Sequence, residues 1–103
     1  MLNQLILSSG EDLQRLFIIA GNRAEYYQWV SKNRDRFPYL GLLDFIWVSD
    51  LTVFRGQTSP HGYFVGTYRQ RPDLEELLAG ILVCSPDLSQ QERQTFIARV
   101  RGF

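Results

Sequence analysis

The chain has 103 residues, of which 45% are hydrophobic, and its eleven basic and eleven acidic side chains cancel to a formal net charge of zero. This size and composition predict one globular domain over residues 1–103, and the absence of net charge argues against nucleic acid as the default partner. With one cysteine, Cys84, and one histidine, His61, an internal disulfide and the repeated Cys/His spacing of a structural zinc site are both excluded.

The first element along the chain is the apolar segment at residues 2–7, which fits an edge strand or a helical arm equally well. It has no basic flank, and Glu11 and Asp12 follow it closely. Neither a signal peptide nor a membrane span fits this pattern, so we expect a cytoplasmic protein with no membrane partner.

Residues 16–20 form a continuous apolar run that Gly21 and Asn22 stop, as is typical of a strand buried on both faces. A helix is predicted from Arg23 to about residue 33, with Asn22 as its N-cap. Helical spacing there suggests that three side chains face the sheet: Ala24, Tyr27 and Val30.

Pro38 ends that helix, and the next apolar run predicts a second buried strand over residues 45–48. Ser49 and Asp50 stop the strand and can cap a short helix that extends to about residue 54. After a loop that contains His61, residues 63–67 are predicted to form a third strand.

A proline-started helix with a core-facing apolar stripe is predicted next. The stripe comprises Leu74, Leu77, Leu78, Ile81 and Leu82. An alternative ends this helix at Gly80 and makes residues 81–84 a fourth strand, and in both cases Cys84 is expected in the core. Ser89 and Glu92 have the spacing of a capping box, which predicts a terminal helix to about residue 101.

The alternation of strands and helices predicts an α/β fold with a mainly parallel sheet of three to four strands and right-handed crossovers. Helices would cover both faces of this sheet. The expected architecture is therefore a small three-layer Rossmann-like domain.

In such a sheet, ligands bind where the strands end, because the loops there open toward helix N-termini. Five residues at these predicted strand ends are candidate ligand-binding residues: Asn22, Arg23, Asp50, Thr67 and Arg69. Each has an alternative structural role as a cap or as a solvated loop residue. The Walker pattern G-x-x-x-x-G-K-[ST] is absent, which argues against nucleotide hydrolysis by the P-loop route.

No group of residues predicts catalysis, since His61 has no serine or cysteine nucleophile near it in the sequence. We therefore expect no catalytic residue, cofactor or metal site.

Aromatic side chains are unusually dense around the first helix, where Tyr26, Tyr27 and Trp29 lie within four residues. One helix cannot bury three successive faces against one sheet, so some aromatic surface should remain. Tyr26 and Trp29, with Tyr39 after the helix, are candidates for a partner-binding patch. The alternative is that a second element covers them.

Three strings of the sequence, LFIIAGNRAEYYQW, FIWVSDLTVFRG and YFVGTYRQRPDLEELL, resemble a pattern of small Rossmann-like proteins of phage and mobile-element genomes. The resemblance covers residues 15–82. It implies a P-loop-like layout trimmed to three strands and without the Walker lysine, and no assigned activity accompanies it.

The sequence thus favours a non-enzymatic protein-binding or regulatory module, and the resemblance implies a phage or mobile-element factor that modulates a host machine. The alternative is a small nucleotide- or phosphate-recognising protein that uses the strand ends.

Overall fold

The computed structural model describes residues 15–58 and 60–102. These residues contain a three-stranded sheet of β1 (Leu16–Ile19), β2 (Phe45–Trp47) and β3 (Gly62–Phe64). All strands run parallel in the order β2-β1-β3, so the first strand of the sequence is the central one. The predicted α/β class with a parallel sheet is confirmed.

In the described residues, three α-helices accompany the sheet. Helix α1 (Arg23–Asn33) lies between β1 and β2 in the sequence, whereas α2 (Leu74–Val83) and α3 (Gln90–Arg101) follow β3. Short 3-10 turns lie between the elements, at Arg34–Arg36, Leu42–Asp44, Leu51–Phe54 and Tyr68–Gln70. No helix of the described part of the chain is long and apolar enough to cross a lipid bilayer.

Side-chain caps determine where α1 and α3 begin. Asn22 Oδ1 accepts a hydrogen bond from the backbone N–H of Glu25 at 2.9 Å. Ser89 and Glu92 each accept from the backbone N–H of the other at 3.1 Å, which satisfies two amides that the helix cannot. Both predicted caps are confirmed, and Gly102 ends α3 in the left-handed region at φ +83°.

β1 is buried along its whole length, and its side chains alternate between two groups of buried residues. Phe17 and Ile19 pack with the apolar side chains of α2 and α3, a group that we call the first core cluster. Leu16 and Ile18 pack with those of α1, which we call the second core cluster. Because successive strand residues point in opposite directions, a continuous apolar run suits a strand that contributes to two cores.

The structure decides between the two predictions for residues 81–84. Ile81 lies in the last turns of α2 and is fully buried in the first core cluster, together with Leu74, Leu77 and Leu78. The fourth-strand alternative is therefore wrong, since the apolar stripe continues at helical spacing through Gly80. Cys84 caps the helix and is only partly buried against this cluster.

The predicted face of α1 is wrong for two of its three residues. Ala24 and Tyr27 are exposed, whereas Tyr26 and Val30 are buried in the second core cluster. The third strand also begins one residue earlier than predicted and ends at Phe64. The apolar segment at residues 2–7 lies outside the described residues.

Candidate functional site

The carboxyl ends of β1 and β2, where a ligand was expected, are bridged by one arginine side chain. Arg71 Nη1 donates to the carbonyl oxygens of Ala20, at 3.1 Å, and Val48, at 2.7 Å. Its Nη2 donates to the carbonyl of Ser49 at 2.9 Å. These carbonyls follow two different strands, so the guanidinium fills the gap between them.

Asp73 completes the environment of this guanidinium. Its carboxylate accepts from Arg71 Nε at 2.9 Å and from Nη2 at 3.0 Å, a bidentate pair. The five N–H groups of an arginine are thereby matched by five acceptor contacts. The guanidinium carbon also lies 5.4 Å from the centre of the Trp47 ring, and the side chain is only 7% exposed. Arg71 is therefore an internal clamp that has no donor left for a ligand.

The loop between β1 and α1 holds an anion, but the anion belongs to the chain itself. The Glu25 carboxylate accepts from the backbone N–H of Gly21 at 2.8 Å. It also accepts from the backbone N–H of Thr67 at 3.1 Å and from the Thr67 hydroxyl at 3.0 Å. A carboxylate thus occupies the position that the sequence suggests for a phosphate.

Two glycines allow the Glu25 carboxylate to approach the backbone. A Cβ at Gly21 would overlap Thr67 Oγ1, and one at Gly66 would lie 2.6 Å from Glu25 Oε1. The hydrogen bonds from Thr67, chiefly that from its backbone N–H, lower the pKa of Glu25 below its ordinary value. The charged form of Glu25 is therefore the one that joins the loops after β1 and β3.

The structure brings together two of the five predicted ligand-binding residues. Asn22 caps α1, and Thr67 binds the Glu25 carboxylate, so both belong to the network around Glu25. Arg23 is exposed at the start of α1.

The remaining two predicted ligand-binding residues have separate structural contacts. Asp50 caps the 3-10 turn at Leu51–Phe54, where it accepts from the Thr52 N–H at 2.8 Å and from the Thr52 hydroxyl. These bonds, that from the hydroxyl first, lower the pKa of Asp50. Arg69 Nε donates to the carbonyl of Val100 at 3.0 Å and so contacts the C-terminal end of α3 instead of the strand ends.

The three aromatic residues predicted to bind a partner differ in exposure. Tyr26 is buried, and its hydroxyl donates to the carbonyl of Phe45 at 2.8 Å. Burial raises the pKa of this phenol. Trp29 is half-buried, with its ring centre 5.3 Å from that of Tyr63. Tyr39 is exposed, so of the three it is the one most available to a partner.

Sequence reasoning missed Leu42 and Leu43, which follow Tyr39 closely in the sequence. We call residues 39–43 the apolar loop; Tyr39 is 61%, Leu42 57% and Leu43 93% exposed. A turn-like composition, with Gly41 in its centre, hid this feature in the sequence. A signal was present, however, because four of the five residues of the apolar loop are large and apolar.

Local contacts hold the apolar loop in place. The Leu40 N–H donates to the carbonyl of Phe37 at 3.0 Å, and the Leu40 side chain packs against the second core cluster. The Asp44 carboxylate accepts from the Gly41 N–H at 2.8 Å. The Tyr39 ring lies 6.4 Å from that of buried Phe37 in an edge-on arrangement. Its apolar side chains are therefore exposed on a structured turn.

Residues 15–58 and 60–102 contain no group of three His, Cys, Asp or Glu side chains that could hold a metal ion. His61 is partly buried before β3, and burial lowers its pKa. No protein-family model matches the sequence, and no curated protein or solved structure is significantly similar to it.

Proposed function

We propose that this chain is a non-enzymatic module that binds another protein through the apolar loop, with Tyr39 and Leu43 as its main contacts. The observation that carries the proposal is the exposure of three large apolar side chains within five residues on a structured turn. Single exposed apolar residues are ordinary on protein surfaces, whereas contiguous ones mark interaction sites.

The contacts that hold the apolar loop in place support this proposal. Binding costs conformational entropy when a surface has to be ordered, so a loop that is already held in place loses less on association. Leu40 and the Tyr39 contact with Phe37 anchor this loop to the second core cluster. The Trp29 ring centre lies 6.3 Å from that of the same Phe37, so Trp29 packs on the residue that the Tyr39 ring contacts.

The occupied strand ends favour this function over phosphate or nucleotide recognition. A phosphate at the start of α1 would have to displace the Glu25 carboxylate from Gly21 and Thr67. Arg71, the best-placed cation, already makes five hydrogen bonds within the chain. Either ligand would therefore compete with intramolecular contacts.

We also propose that the layout is the reduced three-layer Rossmann-like one, because α1 packs in one core cluster and α2 and α3 in the other. A role as a phage or mobile-element factor that regulates a host machine is part of the same proposal and rests on the sequence resemblance. A cytoplasmic location fits the free thiol of Cys84.

Photo-crosslinking followed by titration tests the proposed function. A benzophenone side chain at position 43 captures the partner in native cells, and calorimetry with the purified partner measures affinity. Because truncation of a central contact costs about 2 kcal/mol or more, Tyr39→Ala and Leu43→Ser should each weaken binding by about 30-fold.

The matched control is Tyr27→Ala, since Tyr27 is 59% exposed but lies on α1, outside the apolar loop. This variant should bind the partner with wild-type affinity, and all three should keep the wild-type urea midpoint. The proposal is contradicted if both loop variants bind with unchanged affinity, or if position 43 gives no specific crosslink.

A further inference from the structure

An apolar groove of about 490 Å³ lies between α2 and the 3-10 turn at Leu51–Phe54, and none of its lining residues belongs to the apolar loop. Its apolar lining comes from both elements and consists of Leu51, Phe54, Ala79, Gly80, Val83 and Cys84. Val83 is 81% exposed, which is unusual for a valine on a helix that is otherwise packed on the core. Within the part of the chain that the structure describes, the groove therefore presents exposed apolar surface.

Contacts between α2 and the 3-10 turn give the groove its shape. A Cβ at Gly80 would overlap the Leu51 side chain, so Leu51 lies in the space that the glycine leaves. Cys84 Sγ lies 3.4 Å from the carbonyl oxygen of Phe54, and the Phe54 ring is buried in the first core cluster. These contacts join the two walls of the groove.

Two residues of opposite charge line the groove, and the chain places their backbones near different ends of α2. Arg55 directly follows Phe54, whose carbonyl contacts Cys84 at the C-terminal end of α2. Glu76 is eight residues before Cys84, which is about 12 Å along a helix axis. Among the described residues, the ion pairs are Arg71 with Asp73 and Arg101 with Glu75, so neither Arg55 nor Glu76 has a carboxylate or cation paired with it.

The groove of one copy is complementary in charge to the groove of a second copy. A twofold axis through the middle of the groove, near Gly80, reverses the direction of α2 in the second copy. Arg55 of each copy then faces Glu76 of the other, and the pair forms twice. The zero net charge of the chain also leaves no overall repulsion between copies.

We propose that this groove is the interface of a homodimer, in which Val83 of each copy packs against Leu51 and Gly80 of the other. Ala79, which is small and exposed, lets the α2 helices of the two copies approach closely. Six residues supply the apolar lining of the groove, fewer than the roughly 20–30 residues that each side of a standard interface contributes, and small interfaces are weak or transient. The dimer therefore forms reversibly with concentration.

Sedimentation velocity of the full chain from about 1 µM to about 1 mM tests the proposal, because this range brackets the dissociation constants of weak dimers. The wild type should change from monomer to dimer over this range. Val83→Asp should remain monomeric, because it would place two carboxylates in the apolar interface. Its urea midpoint should be that of the wild type, since the side chain is exposed in the monomer.

A charge exchange tests the pairing itself. Arg55→Glu and Glu76→Arg each place like charges opposite each other twice, so each should raise the dissociation constant by at least about tenfold. The double variant restores opposite charges and should return to within about threefold of the wild type. The tested residues are separate from the apolar loop, so this inference and the proposed function can fail independently.

Three results would overturn the homodimer. The first is a wild-type chain that stays monomeric over the whole concentration range. The second is a dimer that Val83→Asp or the single charge reversals leave intact. The third is a double variant that stays as weak as the single ones while its urea midpoint remains that of the wild type.

Discussion

At the scale of single residues, the chain uses its own charged groups where a ligand-binding α/β protein would place a ligand. Glu25 takes the anion position between Gly21 and Thr67, and Arg71 takes the position between the ends of β1 and β2. Both side chains are held by backbone groups. The contacts of Glu25 depend on its charge, which makes them sensitive to pH.

Glu25 should make part of the stability of the protein depend on acidity. Its pKa in the folded chain is below its ordinary value of 4.5, so the unfolded chain binds the proton more tightly. The contribution of Glu25 is therefore complete above that value and is lost as the pH falls through the folded pKa. Urea midpoints measured between about pH 6 and about pH 3 should decrease less steeply for Glu25→Gln than for the wild type.

Thr67→Val is the matched control for Glu25, because it removes the hydroxyl donor and keeps the backbone N–H that contributes most to the shift. Its pH dependence should fall between those of the wild type and Glu25→Gln. If Glu25→Gln follows the wild-type curve at every pH, the network around Glu25 does not contribute to stability in solution.

At the scale of elements, helices and strands differ in how much of their placement the sequence determines. The type of each element was predictable because apolar runs and helical stripes differ in period. The buried face of α1 was not, because tyrosines occur on both candidate faces. The deciding contact is the hydrogen bond from Tyr26 to the carbonyl of Phe45, which lies on β2. Periodicity contains no information about such a partner.

Helix α2 offers a direct test of how an element is held to the core. Leu77 is fully buried in the first core cluster, so Leu77→Ala should lower the free energy of unfolding by about 2–5 kcal/mol. Val83→Ala, on the exposed side of the same helix, should change it by less than about 1 kcal/mol at low protein concentration. A urea titration that gives similar values for both variants would mean that this stripe does not face the core.

At the scale of the whole molecule, the central strand joins two core clusters, and the strand ends are connected to α2 through Arg71. The fold class and the order of elements followed from local patterns in the sequence. The Arg71 clamp could not be predicted in the same way, because three of its acceptors are backbone carbonyls at Ala20, Val48 and Ser49. Backbone acceptors are the same in every residue type and leave no trace in a sequence.

The Arg71 clamp should be a large contributor to the stability of the whole fold. Arg71→Ala leaves the Asp73 carboxylate and the strand-end carbonyls without their donor, so the free energy of unfolding should fall by about 2–4 kcal/mol. Arg71→Lys keeps the charge but has only three donors and cannot form the bidentate pair, so we expect a smaller loss. Urea is the suitable denaturant, since guanidinium would compete for the same acceptors.

Arg101→Ala is the matched control. Arg101 also binds a carboxylate through two nitrogens, because its Nε and Nη2 donate to the Glu75 carboxylate, but this pair lies at the surface. Exposed pairs of this kind contribute little, so this variant should unfold close to the wild type. An Arg71→Ala protein as stable as the Arg101→Ala protein would mean that the strand ends do not need the guanidinium for stability.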